Sequence, residues 1–258
     1  MGVAQAVHPD RAATAREDNR AGLSMDAVDH RRSLDGQRPQ WERALYERPD
    51  RFGTQASEPA RATVQLLRRE RLTHVLELGP AQGRDTLFLA GQGFEVHALD
   101  YATSAVATIT RKARDAGLSA KVTAARHDVR EPLPYPDQSF DCCYSHMLFC
   151  MALTVAELRF LTREILRVLR PGGLCIYTAR STRDPDFGKG THRGEGLYES
   201  GGFIVHFFSA ATIDQLAHGF ETVELTQFEE GPLPRKLYRV TLRKPNAALT
   251  RCRAQPPQ

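Results

Sequence analysis

The stretch "VLELGPAQGRD", residues 75–85, decides how the chain is read. An apolar run leads into Glu77, and Gly79 and Gly83 then flank Pro80, Ala81 and Gln82. Glycine lets a backbone turn through positive φ and come close to a ligand. In an open α/β sheet that approach happens at the carboxyl end of a strand, near the switch in strand order. A dinucleotide loop needs G-x-G-x-x-G, which this stretch does not supply.

Working outward, strands and helices alternate. "HVLELG" (74–79) reads as a strand and "DTLFLAGQG" (85–93) as a helix stopped by glycine. "EVHALD" (95–100) is the next strand, "ATSAVATITRKARDAG" (102–117) a helix, and "AKVTAARHD" (120–128) a third strand. "FDCCYSHM" (140–147) is a fourth strand, followed by the helix "VAELRFLTREILRVL" (155–169). "PGG" (171–173) turns the chain into the strand "LCIYTAR" (174–180). Upstream, "EPARATVQLLRRER" (58–71) is helical. This rhythm implies a mainly parallel sheet with helices on both faces. Residues 182–203 read as a long irregular glycine-rich loop. "IVHFF", the helix "SAATIDQLAHGF", and two strands joined by the turn "GPLPR" complete an expected antiparallel hairpin.

Acids end the strands. Asp100 lies 21 positions beyond Gly79 (100 − 79), where a carboxylate either accepts both hydroxyls of a ribose or caps the helix that follows. Asp128 ends the third strand and either accepts from the exocyclic amine of an adenine or caps a turn. Asp85 reads as an N-cap or first-turn acid.

Composition narrows the function classes. The chain has 258 residues, 41% apolar and 26% charged, as a globular protein has. Its net charge of +4 is matched by Arg243, Lys244, Arg251 and Arg253 near the C-terminus. No aromatic-interleaved basic stripe points to nucleic acid. No apolar run is long enough for a bilayer, and no leader is evident, so the cytoplasm is the expected compartment. The five cysteines form no C-x-x-C pair, so neither a disulfide framework nor a zinc site is expected, and Cys142, Cys143 and Cys175 read as small core residues. No spacing matches a metal pattern such as H-E-x-x-H.

The pieces "VLELGPAQG", "VHALD", "HDVREPLPYPDQSFD" and "EILRVLRPGG", in that order, resemble the class I S-adenosylmethionine-dependent methyltransferases. The resemblance covers residues 74–180 and extends to 244, where the chain looks like the small-molecule methyltransferases related to tellurite-resistance and thiopurine enzymes. It implies a Rossmann-like, doubly wound α/β fold, with a mostly parallel seven-stranded sheet and a C-terminal antiparallel hairpin. The implied domain spans residues 41–244, between a disordered tail (1–40), in which Met25 is an alternative start, and a flexible tail (245–258). The implied cofactor contacts are Glu77, Gly79, Gly83, Arg84, Asp100, Tyr101, Asp128, Val129 and Ser145. The cofactor carries no pyrophosphate, so its loop does not need the dinucleotide glycines. The chain departs from the family at Ala81, usually glycine, and at Pro80, which stiffens the loop and removes an N–H.

Methyl transfer from a sulfonium mainly requires that acceptor and methyl be held in line. The acceptor is expected above the fourth strand, in "YSHMLFC", where His146 is a general base, an acceptor-orienting group, or a turn histidine bonded to backbone. His192 and Glu195, in the long loop, either close over the acceptor or belong to a polar surface. His206 reads as a packed strand histidine. Trp41, Tyr46 and Phe52 lie in a segment that in similar enzymes covers the cofactor; a helix packed on the sheet is the other reading. Phe203, Phe207 and Phe208 line an acceptor pocket or fill the core. The expected partner is a small-molecule acceptor using O, N, S or a chalcogen, with no nucleic acid and no membrane, on a monomer or homodimer. Two further readings stand: an NAD-dependent oxidoreductase, weakened by the missing glycine and the lack of a Y-x-x-x-K dyad, and a SAM-binding protein without catalysis.

Overall fold

The computed structural model describes residues 35–48, 51–231 and 235–246. Most of the expected N-terminal tail, including Met25, lies outside the described residues, as do most of the C-terminal tail and the centre of "GPLPR".

The elements run α1 (Gln37–Glu47), α2 (Glu58–Glu70), β1 (His74–Leu78), α3 (Arg84–Gly91), β2 (Glu95–Asp100), α4 (Thr103–Asp115), β3 (Val122–Arg126), β4 (Phe140–His146), α5 (Val155–Val168), β5 (Leu169–Arg180), β6 (Thr191–His192), β7 (Leu197–Ser200), β8 (Phe203–His206), α6 (Ala210–Leu216), β9 (Glu221–Glu230) and β10 (Arg235–Arg243). The main sheet has seven strands in the order β3-β2-β1-β4-β5-β10-β9. β1 to β5 are parallel, and only β10 runs against them. The chain leaves β1 for β2 on one side and later returns to β4 on the other. The loop after β1 therefore sits at the switch point.

The central strands are apolar on both faces, as a covered parallel sheet requires. On one face Val75, Cys142, Tyr144 and Ile176 pack against Val64 and Leu67 of α2 and Leu89 of α3. On the other, Leu76, Cys143 and Tyr177 pack against Leu158, Leu161 and Ile165 of α5 and Ile213 of α6. The one-residue alternation along β4 thus serves two cores. Each fully buried leucine contributes about 1.5–3 kcal/mol. The four described cysteines, Cys142, Cys143, Cys150 and Cys175, are buried free thiols. Helix starts carry their signals: Ser57 accepts from Ala60 N to begin α2, and Thr154 with Glu157 forms a capping box on α5. Among the described residues no helix is long and apolar enough to cross a membrane.

The structure corrects the sequence reading at three places. α1 begins at Gln37, ahead of Trp41. "PGG" belongs to the start of β5, where Gly172 N–H donates to Lys244 O at 2.9 Å and Lys244 N–H to Gly173 O at 2.8 Å. The strand continues because the last strand, distant in sequence, satisfies its backbone. Residues 182–203 contain the start of a second, three-stranded antiparallel sheet, β6-β7-β8. Glycine in that stretch suggests a loop, but Gly190 is needed for pairing: it has φ +86°, and a Cβ there runs into the Glu199 carbonyl. Gly190→Ala is expected to speed hydrogen exchange of the β6 and β7 amides while leaving β1, β4 and β5 protected. Unchanged exchange across residues 191–200 would count against this account of the small sheet.

Candidate cofactor and acceptor site

The loop after β1 passes through three left-handed residues, Gly79 (φ +68°), Ala81 (φ +50°) and Gly83 (φ +77°). A Cβ on Gly79 would meet Leu148 at 2.8 Å, and one on Gly83 would meet Ile109 of α4 at 2.7 Å. Those two glycines are therefore required by close packing as well as by φ. Ala81 is tolerated differently. Left-handed backbone costs it about 1–2 kcal/mol, and its methyl group joins a small cluster with Leu45, Trp41, Tyr101, Ala102 and Ala105. The N–H that Pro80 lacks is not one that the loop uses. Gly79 N–H donates to Leu99 O, Gly83 N–H to Pro80 O, and Ala81 N–H to Asp100 Oδ2 at 3.0 Å.

Asp100 is buried. Its Oδ1 accepts from Ala102 N–H at 2.9 Å, so the residue both caps α4 and ties the loop to the end of β2. Burial pushes its carboxyl up to about 6, against the opposing pull of those backbone N–H groups. Glu77 is also buried and takes the Thr86 hydroxyl at 2.6 Å. Burial, and then the nearby Asp85 charge, pushes it up to about 8. Asp85 is the first-turn acid of α3, and it also holds Ser57 N–H (2.8 Å), Ser57 Oγ (2.7 Å) and Tyr144 OH (3.0 Å). Neither Glu77 nor Asp100 has a cation within ion-pair distance among the described residues.

α1 covers the loop. Gln82 Nε2 donates to the carbonyls of Leu45 (3.0 Å) and Arg48, satisfying the orphan end of α1. Glu42 Oε1 accepts from Ser104 N–H at 2.9 Å, at the start of α4. Arg84 donates to Phe52 O at 3.0 Å and lies 3.4 Å from Asp85. A cavity of about 370 Å³ opens between α1 and the ends of β2 and β3, lined by Arg38, Pro39, Glu42, Tyr101, Thr103 and Arg126. Tyr46 is 78% exposed, whereas Trp41 packs at a tilt against Phe203, with ring centroids 4.7 Å apart.

The small sheet continues this roof over β4 and β5. Gln37 of α1 bonds Gly202 O (3.1 Å) and Ile204 N–H (3.0 Å). His206 N–H donates to Cys150 O, and its Nδ1 lies 2.7 Å from Leu153 O, so His206 is the packed strand histidine that its neighbours imply. Glu195 Oε2 accepts from Val155 N–H at 2.7 Å, at the start of α5. His192 is exposed and bonds Glu195 O at 3.0 Å. Phe208 is fully buried and Phe207 nearly so, while Phe203 faces Trp41.

His146 ends β4. Its Nδ1 lies 2.9 Å from Thr178 Oγ1, which also accepts from Met147 N–H at 2.9 Å. Nε2 lies 3.4 Å from Glu230 Oε2, and this neighbour holds the Glu230 carboxyl below its usual range. Ser145 Oγ donates to Leu78 O at 3.1 Å. Asp128 accepts from Arg130 at 2.7 Å, and buried Val129 follows it. The loop, Glu77, Asp100, Tyr101 and Ser145 thus gather around the switch point, Asp128 and Val129 follow β3, and His192 and Glu195 belong to the roof. Sequence reasoning missed Glu230, Thr178, Ser57 and Gln37. Thr178 faces His146 in register, which was readable once β4 and β5 were paired.

Residues 75–173 match the sequence model of the family described as methyltransferase domain. Comparison with curated protein sequences gives no match. Among solved structures, the chain is similar to the 1,6-didemethyltoxoflavin-N1-methyltransferase of Burkholderia thailandensis, solved with 1,6-didemethyltoxoflavin and S-adenosylhomocysteine (18% identity, TM-score 0.65, 88% of this chain and 93% of that one). It is similar to TehB from Haemophilus influenzae (17% identity, TM-score 0.58, 78% and 66%). It is also similar to the [4+2]-cyclase SpnF (19% identity, TM-score 0.60, 87% and 97%). At these identities the structural likenesses speak for the fold. The family match runs over residues 75–173, from β1 into β5, and beyond it the likeness is one of fold.

Proposed function

We propose that the chain transfers the methyl group of S-adenosylmethionine to a small-molecule acceptor held beneath α1 and the β6–β8 sheet. The observation that carries this reading is the pair of buried carboxyl groups, Glu77 and Asp100, which have no cationic partner within ion-pair distance among the described residues. Buried charge is costly unless compensated. S-adenosylmethionine has a net positive charge, whereas a dinucleotide would bring two phosphate charges to the same acids. That favours the sulfonium cofactor over NAD.

When bound, the cofactor supplies a methyl carbon already activated for in-line displacement. Asp100 keeps lone pairs beyond the two N–H groups that it accepts, and these receive the ribose hydroxyls. Glu77 faces the cationic end, with Gly79, Gly83, Arg84 and Ser145 shaping the floor, and Tyr101, Asp128 and Val129 hold the adenine. Because the Ala81 methyl packs toward α1, the departure from glycine is compatible with cofactor binding. The roof excludes water and limits the acceptor to a small molecule using O, N, S or a chalcogen. The 1,6-didemethyltoxoflavin bound in the Burkholderia thailandensis structure is in keeping with a small acceptor. His146, fixed by Thr178 and Glu230, orients the acceptor or takes its proton, and His192 and Glu195 act through closure of the roof. The proposed setting is the cytoplasm, as a monomer or homodimer.

Calorimetry is expected to show micromolar binding of S-adenosylmethionine and S-adenosylhomocysteine, and none of NAD. Asp100→Asn should weaken the first about tenfold or more, as loss of a charged hydrogen bond does. Binding of NAD alone would sink the reading.

A pH series tests the acids. Glu77 is protonated up to about 8 in the fold but only to about 4.5 when unfolded, so the ligand-free protein loses stability as pH rises between those values. Glu77→Gln should therefore raise the melting temperature at pH 8 while weakening S-adenosylmethionine more than the thioether product, which lacks the sulfonium charge. Equal weakening of both ligands would remove the electrostatic role.

His146→Asn should lower kcat about 10²–10⁴-fold if the acceptor must lose a proton, with S-adenosylmethionine affinity unchanged. An unaltered kcat with a protonated acceptor would remove His146 from the chemistry.

A further inference from the structure

Where α1 meets the small sheet, three aromatic rings converge. Trp41 comes from α1, Phe52 from the segment after it, and Phe203 from β8. The Trp41 ring lies 4.7 Å from Phe203 and 6.3 Å from Phe52. The Arg51 guanidinium sits among them, 5.9 Å from Trp41, 5.9 Å from Phe52 and 5.5 Å from Phe203. Among the described residues no carboxylate is paired with Arg51, so the ring faces supply the negative potential that this charge meets. Trp41 also packs in the cluster that holds Ala81, which places these rings one side chain away from the cofactor loop.

We propose that Trp41, Phe52 and Phe203 form a cation-recognition cage for the acceptor, and that Arg51 is a built-in occupant which an acceptor's ammonium or guanidinium group displaces. The proposal rests on the methyl-transfer reading for its location and extends it by naming the substrate class as a small molecule with a fixed positive charge. Arg51 is suited to displacement. It is exposed, and it follows α1 on a short segment, so its side chain can move to water without disturbing the sheet. Phe52 is 38% exposed, which leaves the cage open to solvent on that side. Exchange of one cation for another leaves the ring interactions nearly unchanged. Selectivity then comes from what the rest of the acceptor finds beneath the roof. The rings belong to three segments separated in the chain, so the cage exists only when α1 is seated on β8. An incoming cation therefore acts on the seam of the roof itself.

Trp41 is the only tryptophan in the chain, so intrinsic tryptophan fluorescence reports the cage directly. The full chain is titrated with choline and, separately, with 3,3-dimethylbutan-1-ol, its neutral isostere. The expected result is a saturable change with choline and none with the alcohol. Arg51→Ala should bind choline about two- to fivefold more tightly, because the competing internal cation is gone. Phe203→Leu, which keeps the site apolar, should abolish the choline response. An equal response to the alcohol, or unchanged choline affinity in Arg51→Ala, overturns the proposal. Calorimetry with S-adenosylmethionine on the same proteins separates the two readings. Cofactor binding without a choline response removes the cage and leaves methyl transfer standing. A choline response without cofactor binding removes the methyl-transfer reading and its account of the acceptor.

Discussion

The carboxylate of Asp100 holds two backbone N–H groups that the sheet's switch point brings to it, one from Ala81 in the loop after β1 and one from Ala102 at the start of α4. Each bond alone is modest, about 1.5–3 kcal/mol for a charged acceptor. Together they set the path of the loop, and the loop sets most of what surrounds it. Ala81 can keep its left-handed backbone because its N–H is held, and its methyl then provides the seat for Leu45 and Trp41 of α1. Gln82, next in the chain, ends α1 by taking its last carbonyls. The roof over the site is thus a consequence of how one acid at the end of β2 is satisfied.

That arrangement makes it costly to ionise both acids at once. Glu77 and Asp100 are both buried, both raised, and among the described residues hydrogen-bonded by neutral donors. Asp85 adds to the difficulty, since its position beneath the loop raises Glu77 further. A chain selected only for stability would replace one of these acids or pair it with an arginine, as Arg167 is paired with Glu164 on the surface. Retaining the deficit makes physical sense where the missing charge arrives with a ligand. Stability and binding are then two sides of one electrostatic term.

Local pattern revealed most of the fold. The strand runs, the glycine stops and the acids at strand ends are short-range features, and β2 coincides with its predicted range from Glu95 to Asp100. The elements that were missed share a different cause. "PGG" continues β5 because Lys244 reaches it from the far end of the chain. The small sheet forms because Gln37 and Cys150 bond to strands that carry little alternation of their own. Ser57 caps α2 in a way that a sequence shows, yet its bond to Asp85 across 28 positions has no periodic signature. Glu230 meets His146 only because the hairpin turns at the carboxyl edge, where β10 lies against Arg180. In the candidate site, the loop after β1 was legible because it is built from consecutive residues, and the roof was not because it is assembled from distant ones.

The same division bears on what the fold can say about chemistry. A [4+2]-cyclase, a 1,6-didemethyltoxoflavin-N1-methyltransferase and TehB share this architecture with the chain at low identity. A shared sheet therefore leaves the reaction open. The family match ends at Gly173. The roof comes from the segments on either side of it, α1 with its following residues and β6 to β8. Those segments touch the cofactor loop through a few side chains, Gln82 and Arg84 among them, and each other through Gln37 and Trp41. Substitutions there can reshape the acceptor space without disturbing the hydrogen bonds of Asp100. On the proposed reading, acceptor choice is for that reason a property of the seam between α1 and β8, and the aromatic rings gathered there are the part of the molecule whose chemistry the sheet does not dictate.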